Sequence, residues 1–396
     1  MERNRIHSKI ALIFKQEIFN LKVSFQQSYC QRKLSMMSSQ ALTFSTLSSD
    51  AASVIDIKPV DTLLSSTPLN ASSVYVEFLA FPINPQDLLA IAGKYPVKPV
   101  YTTPDGSKIA GNDGVAVVKR VGESVMTLRE GDTVLPKRHG LGTWRTSGVF
   151  PADSLVRIPS GVDPVAAGLL KMGFAPAYLL LEDLVKLRPG SWIVINAALG
   201  VIPQMACQFA RLRGCHVVAV IRARDDIQQA RDILRANGAD IVVTEEELEA
   251  HGSEADPALA IVAKENRVML ALDAVFGPRA EHLARLLGAG GTFVNYGSLG
   301  GSDGVLQLTQ ELLFWKQITF RNFRLSQQLS SRSDVEVERL MAWFVDLLAQ
   351  GQLRTPSVEI LRWSKDDVNE MTRKVHGVLD SAAKKSIGTK KTVIVL

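Results

Sequence analysis

Apolar residues in the middle of the chain switch between two spacings. Trp192-Ile193-Val194-Ile195 is a short continuous apolar run, and it ends in Asn196-Ala197-Ala198-Leu199-Gly200. Residues 201–213 then carry a helical pattern, and His216-Val217-Val218-Ala219-Val220-Ile221 forms a second apolar run. The alternation continues, with strands expected near 240–243, 269–274 and 292–296 and helices at 226–237 and 279–287. Apolar strand runs alternating with helices predict a parallel sheet covered on both faces, an α/β doubly wound Rossmann fold. Before this region, from Val74 to about Phe150, the periods are short and broken by Gly, Pro, Asp and Asn. Val74–Leu79, Val115–Val121 and Thr133–Leu135 read as strands there. Residues 164–187 read as helical. A helix over 335–349 ends at Gly351, and residues 391–396 close the chain as a strand. That last strand needs a partner, and the β-rich first half is the available host, so a discontinuous domain is predicted.

The first strand–turn–helix–strand unit has the layout of a dinucleotide site. An acidic residue at the end of its second strand would hold a ribose 2′-hydroxyl, whereas arginine suits a 2′-phosphate. Here Arg222 and Arg224 follow that strand, which favours NADP(H), and guanidinium matches phosphate through paired donors.

Composition narrows the classes. The 396 residues exceed one comfortable core, and 46% hydrophobic with 21% charged residues suit an ordinary globular protein. The net charge is +5, and residues 1–33 hold seven Lys/Arg against two Glu. The remainder is near neutral, so no nucleic-acid partner is expected. Three cysteines give no disulfide framework, and no His or Cys spacing suggests a metal site. No apolar run reaches the roughly 20 residues of a membrane span. Residues 1–36 are basic, poor in acids and amphipathic. They read either as a transit peptide or as an extension preceding a start at Met36 or Met37. The Ser/Thr-rich residues 34–50 read as flexible spacer.

Phe81-Pro82-Ile83-Asn84-Pro85-Gln86-Asp87, Gly93-Lys94-Tyr95-Pro96 and Gly111-Asn112-Asp113-Gly114-Val115-Ala116 resemble successive motifs of the medium-chain dehydrogenase/reductase superfamily. Gly140-Leu141-Gly142-Thr143-Trp144-Arg145-Thr146, Ile221-Arg222-Ala223-Arg224, Thr244-Glu245-Glu246-Glu247-Leu248 and Leu325-Ser326-Gln327 resemble, more narrowly, the mitochondrial 2-enoyl thioester reductases. The resemblance spans roughly residues 50–396. It implies a Rossmann sheet inserted in a partly β-barrel, GroES-like catalytic domain, a homodimer, a mitochondrial matrix location and NADPH-dependent reduction of trans-2-enoyl thioesters in fatty acid synthesis. The corresponding division is 1–45 targeting or disordered, 46–175 catalytic, 176–328 NADP-binding and 329–396 catalytic again.

Reducing a conjugated thioester requires a donor for the developing oxyanion and an acid for the α-carbon. The resemblance places that acid at Tyr95, with Asn84 as a second polar contact. Asn196, Gly200, Val201, Arg222, Arg224, Tyr296 and Gly297 are the expected cofactor contacts. Gly111 and Gly114 read as turn or close-approach residues, and Trp144 and Arg145 as packing and surface pairing.

Three stretches depart from the family. Pro203 stands in the turn Ala198–Gln204 where a glycine is expected and brings no amide hydrogen. Gly173-Phe174-Ala175-Pro176-Ala177-Tyr178 lacks an Asn and a Thr beside the expected nicotinamide. Arg324 replaces an aromatic residue of the acyl pocket. These departures keep two alternatives open: a quinone or enone reductase of the same superfamily, and a cofactor-impaired, non-catalytic paralogue.

Overall fold

The computed structural model describes residues 39–60, 68–250, 257–301, 304–384 and 390–396. Most of the expected targeting segment, residues 1–38, lies outside them. Six strands form one fully parallel sheet in the order Ile241–Thr244, His216–Ile221, Trp192–Ile195, Val268–Asp273, Thr292–Asn295, Thr319–Asn322. Numbered along the chain this is 3-2-1-4-5-6, the order of a doubly wound dinucleotide fold. All but the edge strand Thr319–Asn322 are buried on both faces, as helices on either side require.

The second sheet has seven strands, and Ser73–Pro82 is its hub. That strand pairs antiparallel with Val115–Val121, Ser147–Pro151 and the C-terminal strand Thr392–Val395. Val393 sits opposite Pro82 and Val395 opposite Ala80. The end of the chain thereby closes the domain begun some three hundred residues earlier, around the inserted parallel sheet.

Residues 39–44 correct the spacer reading. Ser39–Phe44 is a strand with every residue buried, paired with Asp56–Val60 on one side and Lys108–Ile109 on the other. Its polar groups are answered by distant ones: Ser39 Oγ donates to the Ser147 carbonyl at 3.0 Å, and Trp363 Nε1 donates to Gln40 Oε1 at 3.0 Å. Long-range pairing overrides a local composition that on its own favours disorder.

The helix Pro164–Glu182 bears on two expectations. Its 19 residues, with mean hydropathy 1.4, are long and apolar enough to cross a membrane by composition, yet 78% of that window is buried in the core. The expected domain boundary after residue 175 falls inside this helix. A π turn, Leu170–Phe174, interrupts it, and such interruptions frequently mark functional sites.

Candidate active site

The helix Pro85–Ile91 starts with Pro85 at its first position and Asn84 as its N-cap. Asp87 Oδ2 accepts from the Asn84 backbone N–H at 2.8 Å, while Asp87 Oδ1 accepts from Asn112 Nδ2 at 2.7 Å. Asn112 Oδ1 in turn accepts from the Gly140 N–H at 2.7 Å. From the other side, Lys391 donates to Asn84 Oδ1 at 2.6 Å and to the Ile83 carbonyl at 3.2 Å. Asn84 Nδ2 is buried without a partner, so one amide donor of the expected site remains uncommitted.

Tyr95 follows the helix in a half-buried turn. Its hydroxyl lies 2.7 Å from His139 Nδ1, and His139 Nε2 lies 3.3 Å from Met172 Sδ. The π turn then makes three successive connections. Lys171 donates to the Pro136 carbonyl at 2.8 Å and the Asn112 carbonyl at 3.1 Å, and stands 3.5 Å from Asp113. Met172 faces His139. Gly173 lies under Val201, where an added Cβ would come within 2.8 Å of Val201 Cγ1. The loss of a side chain at Gly173 is thus what lets the helix Val201–Leu212 approach.

Burial sets the charges here. It pushes the Asp87 carboxyl up to about 7 against the bonds from Asn84 and Asn112 and the charge of Lys391. It pulls Lys391 down to about 8. The buried Asp113 is raised and Lys171 lowered for the same reason, each eased by the other. His139 falls to about 3, through burial and then the nearby Lys171 charge, so its imidazole is neutral. Burial and Asp87 raise the Tyr95 phenol, opposed by Arg324. Arg324 is exposed at the start of the helix Leu325–Ser330, and its charge favours the ionised phenol.

The expected cofactor residues gather at the other sheet. Ligands of such folds sit outside the carboxyl ends of the strands, where the strand order reverses; here that is between Trp192–Ile195 and Val268–Asp273. Asn196 bridges this point, donating to Asp273 Oδ1 at 2.6 Å and accepting from the Ala274 N–H at 2.8 Å. Tyr296 donates its backbone N–H to the Asp273 carbonyl at 2.9 Å, and its buried hydroxyl has no partner. A Cβ on Gly297 would lie 2.6 Å from the Ala274 carbonyl, so the backbones are in contact there.

Gly200 is exposed at the N-cap of Val201–Leu212. Pro203 is the third residue of that helix, within the first turn, where no intrahelical acceptor is lost. The helix tolerates it, although the first turn has one amide hydrogen fewer to offer an anion. Arg222 is exposed after its strand, while Arg224 donates to Asp226 through both Nε and Nη2, the latter at 2.9 Å. The two arginines thus stand beyond the expected strand, and one already has a carboxylate.

Sequence reasoning missed Asp87, Asn112, Asp113, His139, Lys171 and Lys391 as site groups. Several lie inside the motifs already singled out, but nothing in their spacing showed that they meet. Arg145 is a correction: it is buried, not a surface residue. Its guanidinium lies 4.5 Å from the Phe150 ring and 4.9 Å from that of Tyr101. Trp144 packs as expected, fully buried and stacked on Phe81. At Gly111, with φ +100°, a Cβ would lie 2.4 Å from Trp144 Cδ1, so only glycine fits. Among the described residues, no three His, Cys, Asp or Glu side chains are grouped to hold a metal.

Residues 70–160 match the alcohol dehydrogenase GroES-like domain, and residues 202–345 match the zinc-binding dehydrogenase family. The mitochondrial enoyl-[acyl-carrier-protein] reductase of Homo sapiens is 35% identical over 309 residues, covering 78% of each chain. That of Kluyveromyces lactis is 31% identical over 381 residues, covering 93% of this chain and 97% of its own. The chain belongs to the mitochondrial enoyl-[acyl-carrier-protein] reductase family. Its fold is also that of a solved Etr1p/NADP/crotonyl-CoA complex, with a TM-score of 0.81 at 23% identity, covering 91% of this chain and all of that one. A quinone reductase from Bacillus thuringiensis shares the fold less closely, with a TM-score of 0.73 at 22% identity, covering 91% of this chain and 99% of that one.

Proposed function

We propose that this reductase-family chain reduces trans-2-enoyl thioesters with NADPH in mitochondrial fatty acid synthesis, acting in the matrix on an acyl group carried by CoA or acyl carrier protein. The observation that carries the reading is Tyr95. It is a half-buried phenol kept in its acid form and linked through the π turn to the head of the Rossmann helix.

The cofactor residues fit NADPH in outline. The first-turn amides at Val201 and Ile202 and the exposed Gly200 offer a helix N-terminus to a pyrophosphate. Arg222 and Arg224 stand where a 2′-phosphate would be held. When bound, NADPH supplies the hydride for the β-carbon. Tyr95 donates its hydroxyl hydrogen toward the charge that develops on the thioester and delivers the proton to the α-carbon. Asn84 Nδ2, unpartnered and buried, is a second donor for the same region. Asn196, Tyr296 and Gly297 lock the carboxyl ends of adjacent strands together, where they would meet the cofactor.

We further propose a homodimer, assembled through the edge strand Thr319–Asn322. Among the described residues it ends the parallel sheet with one side unpaired, and Val305, Leu308, Leu313, Phe314 and Trp315 expose apolar surface in the preceding segment. The Etr1p/Etr2p protein of Candida tropicalis is a heterodimer. A second reading, a non-catalytic paralogue, draws on Arg224 being tied to Asp226 and on the proline at 203.

The test combines purified protein, NADPH and a series of 2-enoyl-CoA esters, following loss of the reduced nicotinamide absorbance. Turnover is expected, and Tyr95→Phe should lower it by about a hundredfold or more with NADPH affinity nearly unchanged. Protein that binds NADPH but turns over no chain length would end the enzymatic reading.

A further inference from the structure

The Tyr95 hydroxyl is held by a side chain from a different element, and that contact has its own consequences. His139 lies in the loop after Thr133–Pro136, and its neighbours pin it. The Gly140 N–H donates to Asn112 Oδ1, and the Gly140 carbonyl accepts from the Val100 N–H at 2.8 Å. Gly140 itself, at φ +84°, has the Lys98 carbonyl 2.6 Å from where a Cβ would stand. The His139 ring lies against that of Tyr95, with centroids 5.8 Å apart.

The partners fix the tautomer. A thioether sulfur accepts and cannot donate, so the His139 nitrogen facing Met172 carries the hydrogen. Nδ1 then presents its lone pair to Tyr95, and the phenol O–H donates to it at 2.7 Å. Burial and the Lys171 charge keep the ring in this neutral state.

We propose that His139 is a positioning residue for Tyr95: its Nδ1 accepts the phenol hydrogen and fixes where the oxygen sits before substrate arrives. The inference rests on the reductase reading of the site. A phenol keeps its hydrogen near the ring plane, pointing to either side of the oxygen. His139 takes one direction, and turning the hydrogen to the other presents it to a substrate without moving the oxygen. Because the acceptor is a neutral nitrogen, the bond favours the protonated phenol, the form an acid must start from. Without it the half-buried hydroxyl would bond to water and sample several orientations, and misplaced groups lose rate steeply.

The experiment compares steady-state kinetics of the full protein and four variants with NADPH and 2-enoyl-CoA. His139→Ala should lower kcat about tenfold, the worth of one hydrogen bond, with the KM for NADPH unchanged. His139→Asn, whose amide oxygen accepts from nearly the same place, should recover most of the loss. In a Tyr95→Phe background, His139→Ala should cost nothing more. Wild-type kcat in His139→Ala, an Asn variant no better than the Ala variant, or losses that multiply in the double variant would each overturn the proposal.

A second readout needs no turnover. In protein carrying 15N-labelled histidine, Tyr95→Phe should shift the Nδ1 resonance of one of the six histidines, the one lost in His139→Ala. No shift means no hydrogen bond, and the proposal falls even in an active enzyme. A shift in a protein inert toward every enoyl thioester would instead sink the reductase reading and leave the contact standing.

Discussion

The two ends of the site are built on different principles. Around Tyr95, polar groups from distant parts of the chain converge: Asn84 and Asp87, Asn112 and Asp113, His139, Lys171 and Lys391 form one connected set. At the Rossmann end Asn196 ties distant strand ends together through Asp273 and Ala274, but the groups offered to the phosphates are local. Arg224 bonds a carboxylate two residues away, and the first helical turn has a proline in place of a donor. The surroundings of Tyr95 are preorganised by the fold, whereas the expected phosphate contacts would have to be assembled partly on binding. Preorganised charge is costly to disturb because it has no water to fall back on. Sparse contacts near solvent are cheap to change.

That contrast orders the expected effects. The largest is at the wired end, in Lys391→Met. The variant leaves Asn84 Oδ1 without its donor and Asp87 without its nearby cation, and should lose about 3 kcal/mol of stability near pH 8. The loss should depend on pH. Asp87 has its folded pKa raised to about 7, above an unfolded value of about 4. The folded state therefore holds a proton that the unfolded state releases, and stability from this group declines as pH rises through that window. Removing the cation pushes the folded value higher and extends the decline upward. The deficit of Lys391→Met relative to the wild type should therefore be smaller near about pH 5, where the lost bond to Asn84 remains, and grow toward about pH 8. Urea denaturation at both pH values measures it; an equal deficit at the two would mean that Asp87 is not electrostatically joined to Lys391.

How far the sequence could be read follows the same divide. The parallel sheet was legible because its strands are continuous apolar runs at regular intervals, and period carries that information. The motifs placed Tyr95 and Asn84 in the chain but not their surroundings. Lys391 reaches Asn84 across 307 positions and Lys171 reaches Asn112 across 59, separations at which no local pattern exists. The same physics hid Ser39–Phe44, whose Ser39 and Gln40 find partners more than a hundred positions away. It also hid Thr319–Asn322, an exposed edge strand with no apolar run to announce it. Arg145 misled in the opposite sense: an arginine is expected outside, and this one is enclosed by two aromatic rings.

The middle-sized effect tests the sparse end. Removing both guanidiniums, Arg222→Ala with Arg224→Ala, should weaken NADPH about tenfold and leave NADH binding unchanged, because only the 2′-phosphate is lost as a partner. Asp226→Asn should do the reverse. It keeps a residue able to start the helix Ile227–Ala236 while releasing Arg224 from its carboxylate, and NADPH should bind a few-fold more tightly. Fluorescence titration with both nucleotides decides the matter. Equal losses for NADPH and NADH would show that the arginines do not meet the phosphate.

The smallest expected effect is at Pro203, and it separates the two readings of the protein most sharply. Proline costs the helix nothing at this position, so Pro203→Ala should change stability by less than about 1 kcal/mol. It does restore an amide to the first turn, where the helix dipole and free N–H groups favour an anion. If the pyrophosphate of NADPH sits against Gly200 and Val201, that added donor should tighten binding by about threefold, with kcat left as it was. An unchanged affinity would place the pyrophosphate elsewhere. A variant that gains NADPH binding where the wild type has none would reveal a chain whose Tyr95 end is intact but whose cofactor end has drifted.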